Sequence, residues 1–144
     1  MTEVDFRQQH SELIGWYQLI EMRLRGICAA LLTDEDRTWF DGLEIYETDA
    51  FGKLIHEIQA LQTKKQIEYL IPEDIKNLSA IREERNYWVH QCFIGDTPIT
   101  FSHGLVRKNE NSIKLHRDLQ NAIEWDEKLT NIFRKIADAK NLIG

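Results

Sequence analysis

Phe6, His10, Leu13, Tyr17, Ile20, Leu24, Ile27 and Leu31 follow one another at alternating steps of four and three, and this spacing constrains the chain more than any other feature. A helix turns about 100° per residue, so these positions share one seam of a single long helix, and such a seam needs other helices against it. Leu115, Leu119, Ala122, Ile123, Leu129, Ile132, Phe133 and Ile136 form a second stripe, which predicts another long helix over 112–143.

Two shorter helices fit between them. Phe51, Leu54, Ile55, Ile58 and Leu61 mark about three turns that break up near 63–65, with Gly52 permitting close backbone approach. Pro72, Glu73 and Asp74 open the next helix, because proline suits the first helical position and acids complement the positive end of the dipole. It should run to about Phe93, where Gly95 stops it. The stretch 33–49 is acidic and loses its period, so it reads as a connection with short helical pieces. From 95 to 111 the sequence alternates loosely, with Gly104 where a turn is wanted. A small hairpin and a mobile loop both fit that segment. The expected fold is all-α: a four-helix bundle over 1–144, one domain, with a variable loop or small hairpin between the last two long helices.

A formal charge of −6 excludes a generally basic chain that coats nucleic acid or membrane, so any polyanion site must be local. The longest apolar run, 27–32, is too short to span a bilayer, and 1–10 has no apolar leader. The expected location is the cytoplasm. Cys28 and Cys92 lack a Cys-x-x-Cys partner and are expected to fill core space, while the acids of 34–49 lack the spacing of a calcium loop. No His or Cys pair has zinc spacing that a second pair completes, and no phosphate-binding glycine loop or nucleophile elbow is present. Neither metal nor cofactor is expected. Trp16, Trp39, Trp88 and Trp125 read as core or interface anchors.

One local arrangement breaks the bundle pattern. The third helix has the seam Leu78, Ile81, Arg85, Trp88 and Cys92, with a charged residue at its centre. An unpaired buried arginine costs several kcal/mol, so Arg85 needs a counterpart in this chain or another. In ideal α geometry Asn86 lies about 100° and His90 about 140° round from Arg85, with Arg82 between Arg85 and Asn86. Asn86 and His90, four apart, can touch, whereas Arg85 and His90 diverge, and two copies across a two-fold axis would bring them together. Arg82 is a further candidate for phosphate contact, as are Arg107 and Lys108, beside His103 in the loop, where a solvated loop is the rival reading. His56 falls off the apolar stripe and His10 lies near the fraying start of the first helix, neither with a partner visible in the sequence.

Arg85-Asn86-x-x-x-His90, near the end of the penultimate helix of a small bundle, resembles the Arg-x(4–6)-His motif of HEPN domains, in which a polar residue such as Asn typically follows the Arg. The Gly52-Lys53-Leu54-Ile55 segment and the four-helix layout are also similar. The resemblance covers most of the chain as architecture and about six residues in detail. It implies a homodimer paired through the 72–94 helix and a metal-independent endoribonuclease. Histidine suits proton exchange with a ribose 2′-OH and a leaving 5′-oxygen near neutral pH, the role implied for His90. Arg85 would grip the scissile phosphate and offset charge in the transition state, and Asn86 would orient His90 or the phosphate. Such domains commonly serve as toxins or anti-phage effectors, so RNA and an antitoxin protein are implied partners. Members paired with nucleotidyltransferase antitoxins often carry Tyr two residues after the His, where this chain has Cys92. The rival reading is a noncatalytic HEPN-like dimer whose Arg85-centred groove binds a nucleotide, a ligand or a partner protein.

Overall fold

The computed structural model describes residues 1–142; Ile143, the expected end of the last helix, lies outside the described residues. Helix α1 is Glu3–Leu32. It starts firmly rather than fraying: the Thr2 hydroxyl accepts from the Asp5 N–H at 3.1 Å, and Glu3 and Asp5 complement the dipole. Every residue of its predicted seam is buried except the half-buried His10.

The acidic connection holds one short helix, α2 (Trp39–Tyr46), opened by a reciprocal cap in which Asp41 N–H donates to Thr38 and Thr38 N–H donates to Asp41. It crosses α1 backbone to backbone, since a Cβ on Gly42 would fall 2.8 Å from Ala29 Cα. Helix α3 (Phe51–Lys65) is longer than expected. Residues 63–65 stay helical although the apolar stripe has run out, and the helix ends on Gln66, whose φ of 54° is left-handed.

Helix α4 is Pro72–Asn86, with the Asp74 carboxylate accepting the Ile71 N–H at 3.0 Å. It runs on into a π turn, Tyr87–Gln91, in which the Cys92 N–H reaches five residues back to the Tyr87 carbonyl at 2.9 Å. The segment after it is a hairpin: β1 (Phe101–Ser102) and β2 (Leu105–Val106) pair antiparallel across His103 and Gly104. Both turn residues have positive φ, 52° and 74°, the conformation that matches a tight turn to the strand twist. The hairpin is tied to the chain start by a Thr2–Leu105 bridge and a bond from the Glu3 N–H to the Gly104 carbonyl at 2.8 Å.

Helix α5 (Asn109–Lys140) lies along α1, while α2 and α3 also pack on α1 and α4 packs on α3. One buried apolar cluster draws on all five helices, with Cys28 and Cys92 inside it as free thiols. The architecture is thus an all-α bundle with a minimal hairpin. Among the described residues no helix is long and apolar enough to cross a membrane.

Candidate functional site

Arg85 occupies the position its seam requires, with Leu78, Ile81, Trp88 and Cys92 buried around it and its own side chain 26% exposed. Its counter-charge comes from within the chain. Arg85 Nη1 donates to Glu21 Oε2 on α1 at 2.7 Å, and the guanidinium carbon stands 5.7 Å from the Phe51 ring centroid. Glu21 Oε1 accepts from Arg25 Nη2 at 2.5 Å, one turn further along α1, and the same Nη2 reaches the Asp49 carbonyl at 3.1 Å. Of the two sources open to Arg85, this chain or another, it is this chain that supplies the counterpart, from α1.

The π turn changes the geometry of the motif. A π turn takes more residues per revolution than an α turn, so each residue advances by a smaller angle. The 140° separation of Arg85 and His90 assumed α geometry throughout; with Tyr87–Gln91 widened, the two positions come nearer in angle. Asn86 is half-buried, while His90 is exposed and makes no side-chain hydrogen bond among the described residues. Arg82 lies across the start of α3, where Gly52 makes room: a Cβ there would meet Arg82 Nε at 2.8 Å. Since Phe51 underlies Arg85 and Gly52 underlies Arg82, the two arginines share one end of α3.

The loop candidates divide. Arg107 and Lys108 are both exposed, but only Lys108 lines the open groove of about 400 Å³ that also holds Tyr87, Thr97, Pro98 and Lys114. Lys114 Nζ lies 3.6 Å from the Tyr87 ring centroid, which links that groove to the π turn. His103 serves the hairpin turn, with Nδ1 3.0 Å from Ser102 Oγ. His56 is exposed, as expected. His10 does have a partner: its Nε2 lies 2.8 Å from the Trp88 carbonyl and its ring stacks edge-on to Phe93, so α1 clasps the π turn.

On the opposite side of Arg85, Glu84 faces α5. Burial, reinforced by the Asp118 carboxylate and opposed by Arg117 and Lys114, pushes its carboxyl up to about 7. Asp118 is itself held by the Trp88 indole N–H at 2.9 Å. The Tyr17 hydroxyl is buried without a hydrogen-bond partner among the described residues, as is Glu84 Oε2, and burial followed by the Glu84 and Asp118 charges raises the phenol well above its usual value.

Sequence reasoning missed Glu21, Arg25 and Glu84. The four-residue spacing of Glu21 and Arg25 was a visible sign of a helical ion pair, but nothing local showed that it meets α4. Among the described residues no group of three or more His, Cys, Asp or Glu could hold a metal ion. What the site offers chemically is guanidinium donors for an anion and an exposed imidazole on the next turn. Comparison with protein-family models, with curated proteins and with solved structures finds no match to this chain.

Proposed function

We propose that this chain is a HEPN-type, metal-independent endoribonuclease that cleaves RNA through the ribose 2′-OH, as a cytoplasmic toxin or anti-phage effector held by an antitoxin protein. Arg85 binds the scissile phosphate, His90 exchanges the protons of the 2′-OH and the leaving 5′-oxygen, and Asn86 orients one or the other. Arg82, Arg107 and Lys108 contact neighbouring phosphates. The active form is a homodimer joined through the 72–94 helix, each copy adding its motif to a shared cleft. Exposed Val89 and Ile94, 45% and 84% accessible beside His90, are apolar surface suited to such a joint.

The observation that carries this reading is the π turn between Arg85 and His90: such turns recur at functional sites, and its smaller angle per residue lessens the divergence that a plain α-helix would impose on the two positions. The test is incubation of labelled RNA with purified protein in EDTA, alongside His90→Ala and Arg85→Ala. Wild type should leave a 2′,3′-cyclic phosphate and a 5′-hydroxyl, and loss of the acid–base residue should slow cleavage about 10²- to 10⁴-fold. Equal cleavage of DNA, or abolition by EDTA, would refute the mechanism, and a strictly monomeric species at micromolar concentration would refute the shared cleft.

One observation favours the noncatalytic alternative, a dimer that binds a nucleotide, ligand or partner protein: Arg85 is already engaged by Glu21 in a chain of net charge −6. On that reading Arg85→Ala alters ligand affinity or dimerisation and no wild-type cleavage is found.

A further inference from the structure

Glu21 stands between two guanidinium groups, taking Arg25 on one oxygen at 2.5 Å and Arg85 on the other at 2.7 Å. Two positive charges share one negative, which leaves a net positive charge at this point of an acidic protein. Asp49 does not cancel it, because its carboxylate is taken by Lys53 at 3.1 Å and it offers Arg25 only its backbone carbonyl. In both arginines the Nε–H is buried with no acceptor among the described residues. Each fork therefore carries a donor that the single carboxylate does not reach. The three side chains are still 20% to 26% exposed, so a small anion can approach them.

A phosphate group is chemically what this arrangement lacks. It presents more oxygens than a carboxylate and matches the guanidinium fork with two parallel hydrogen bonds. We propose that Arg25 and Arg85 together form a phosphate-binding site for the phosphodiester of RNA, in which Glu21 is the internal anion that moves aside when the phosphate enters. This rests on the reading of Arg85 as a phosphate-binding residue and adds Arg25 as its second arm. Glu21 then sets a threshold, since only an anion that engages both forks displaces a carboxylate already bonded to both.

The experiment follows the side-chain ¹⁵N Nε–H resonances of Arg25 and Arg85 in the wild-type protein while inorganic phosphate, a short single-stranded RNA with a 5′-hydroxyl, or chloride is added. Arg25→Lys and Arg85→Lys identify the two signals. Both resonances should move together with phosphate and with RNA, and neither with chloride at equal ionic strength. In parallel, Glu21→Gln should tighten RNA binding about tenfold by removing the competitor, and adding Arg25→Ala should abolish that gain. Resonances that stay still at saturating RNA overturn the proposal, even if Glu21→Gln proves unfolded; movement with phosphate alone overturns RNA as the ligand. Because the readout is binding by the folded wild type, a protein that passes this test yet cuts no RNA refutes the nuclease and supports the site. A nuclease whose Arg25 signal ignores RNA refutes the site alone.

Discussion

Glu84→Gln isolates the electrostatic cost built into the α4–α5 contact. The Glu84 carboxyl rises from its ordinary 4.5 to about 7, chiefly through burial and then through Asp118 on α5, against the attraction of Arg117 and Lys114; Tyr17 faces it from α1. Between those two values the folded chain keeps a proton that the unfolded chain has released. Stability therefore falls as pH climbs from 4.5 through about 7, and levels off above. At 1.36 kcal/mol for each tenfold difference in proton affinity, the cost has a ceiling of about 3 kcal/mol, and partial solvent access to Glu84 brings it to about 2 kcal/mol. Glutamine copies the shape of the protonated acid and stays neutral. The variant should melt about 4–8 °C above wild type near pH 8 and level with it near pH 4, measured by thermal denaturation followed by circular dichroism. A difference that is the same at both pH values would refute the assignment of the cost to ionisation. A variant less stable than wild type near pH 8 would show that the carboxylate is satisfied in the fold.

Gly42→Ala should destabilise by about 2 kcal/mol or more in urea unfolding, since the new Cβ meets the Ala29 backbone, which cannot swing away. Gly52→Ala meets only the end of the Arg82 side chain and should lose less than about 1 kcal/mol. His10→Phe keeps a ring against Trp88 and Phe93 but leaves the Trp88 carbonyl without its imidazole partner, a loss of about 1–2 kcal/mol by the same assay. Deletion of the exposed Val89 turns the Cys92-to-Tyr87 bond into an ordinary four-residue α bond, so helical content should hold and stability should stay within about 1 kcal/mol. Collapse of the near-ultraviolet signal in that variant would refute the view that the turn carries one residue in excess.

The fold was legible where burial is one-sided. Phe6 through Leu31 and Leu115 through Ile136 could be read because a long helix repeats the same demand on every turn, and the apolar stripe records it. The end of α3 was not legible by that criterion, because Thr63, Lys64 and Lys65 are exposed and their helicity is set by the left-handed Gln66 beyond them. The hairpin was left open against a loop because strands of two residues bury too little to leave an alternation. Its turn rests on His103 taking positive φ beside Gly104, and its anchorage comes from Met1–Glu3 at the other end of the chain.

The site was legible as residues but not as pairings. The seam identified Arg85 as a buried charge in need of a counterpart, yet Glu21 lies 64 positions away on a helix whose apolar side alone had drawn notice. The π turn was hidden for a different reason. A periodicity argument assumes a constant angle per residue, and the excess residue between Tyr87 and Cys92 changes that angle without changing composition. The two features that motivated the expectation of a dimer, a charged Arg85 in the seam and a diverging His90, were read without those two facts. With Glu21 supplying the charge and the wide turn lessening the divergence of the two positions, the arginine no longer asks for a second copy, and the exposed Val89 and Ile94 are the apolar surface on which the proposed dimer would rest. Pairing through those side chains would leave the Arg25–Glu21–Arg85 cluster uncovered for the proposed phosphate, which a pairing that consumed Arg85 as an interface ion pair would not.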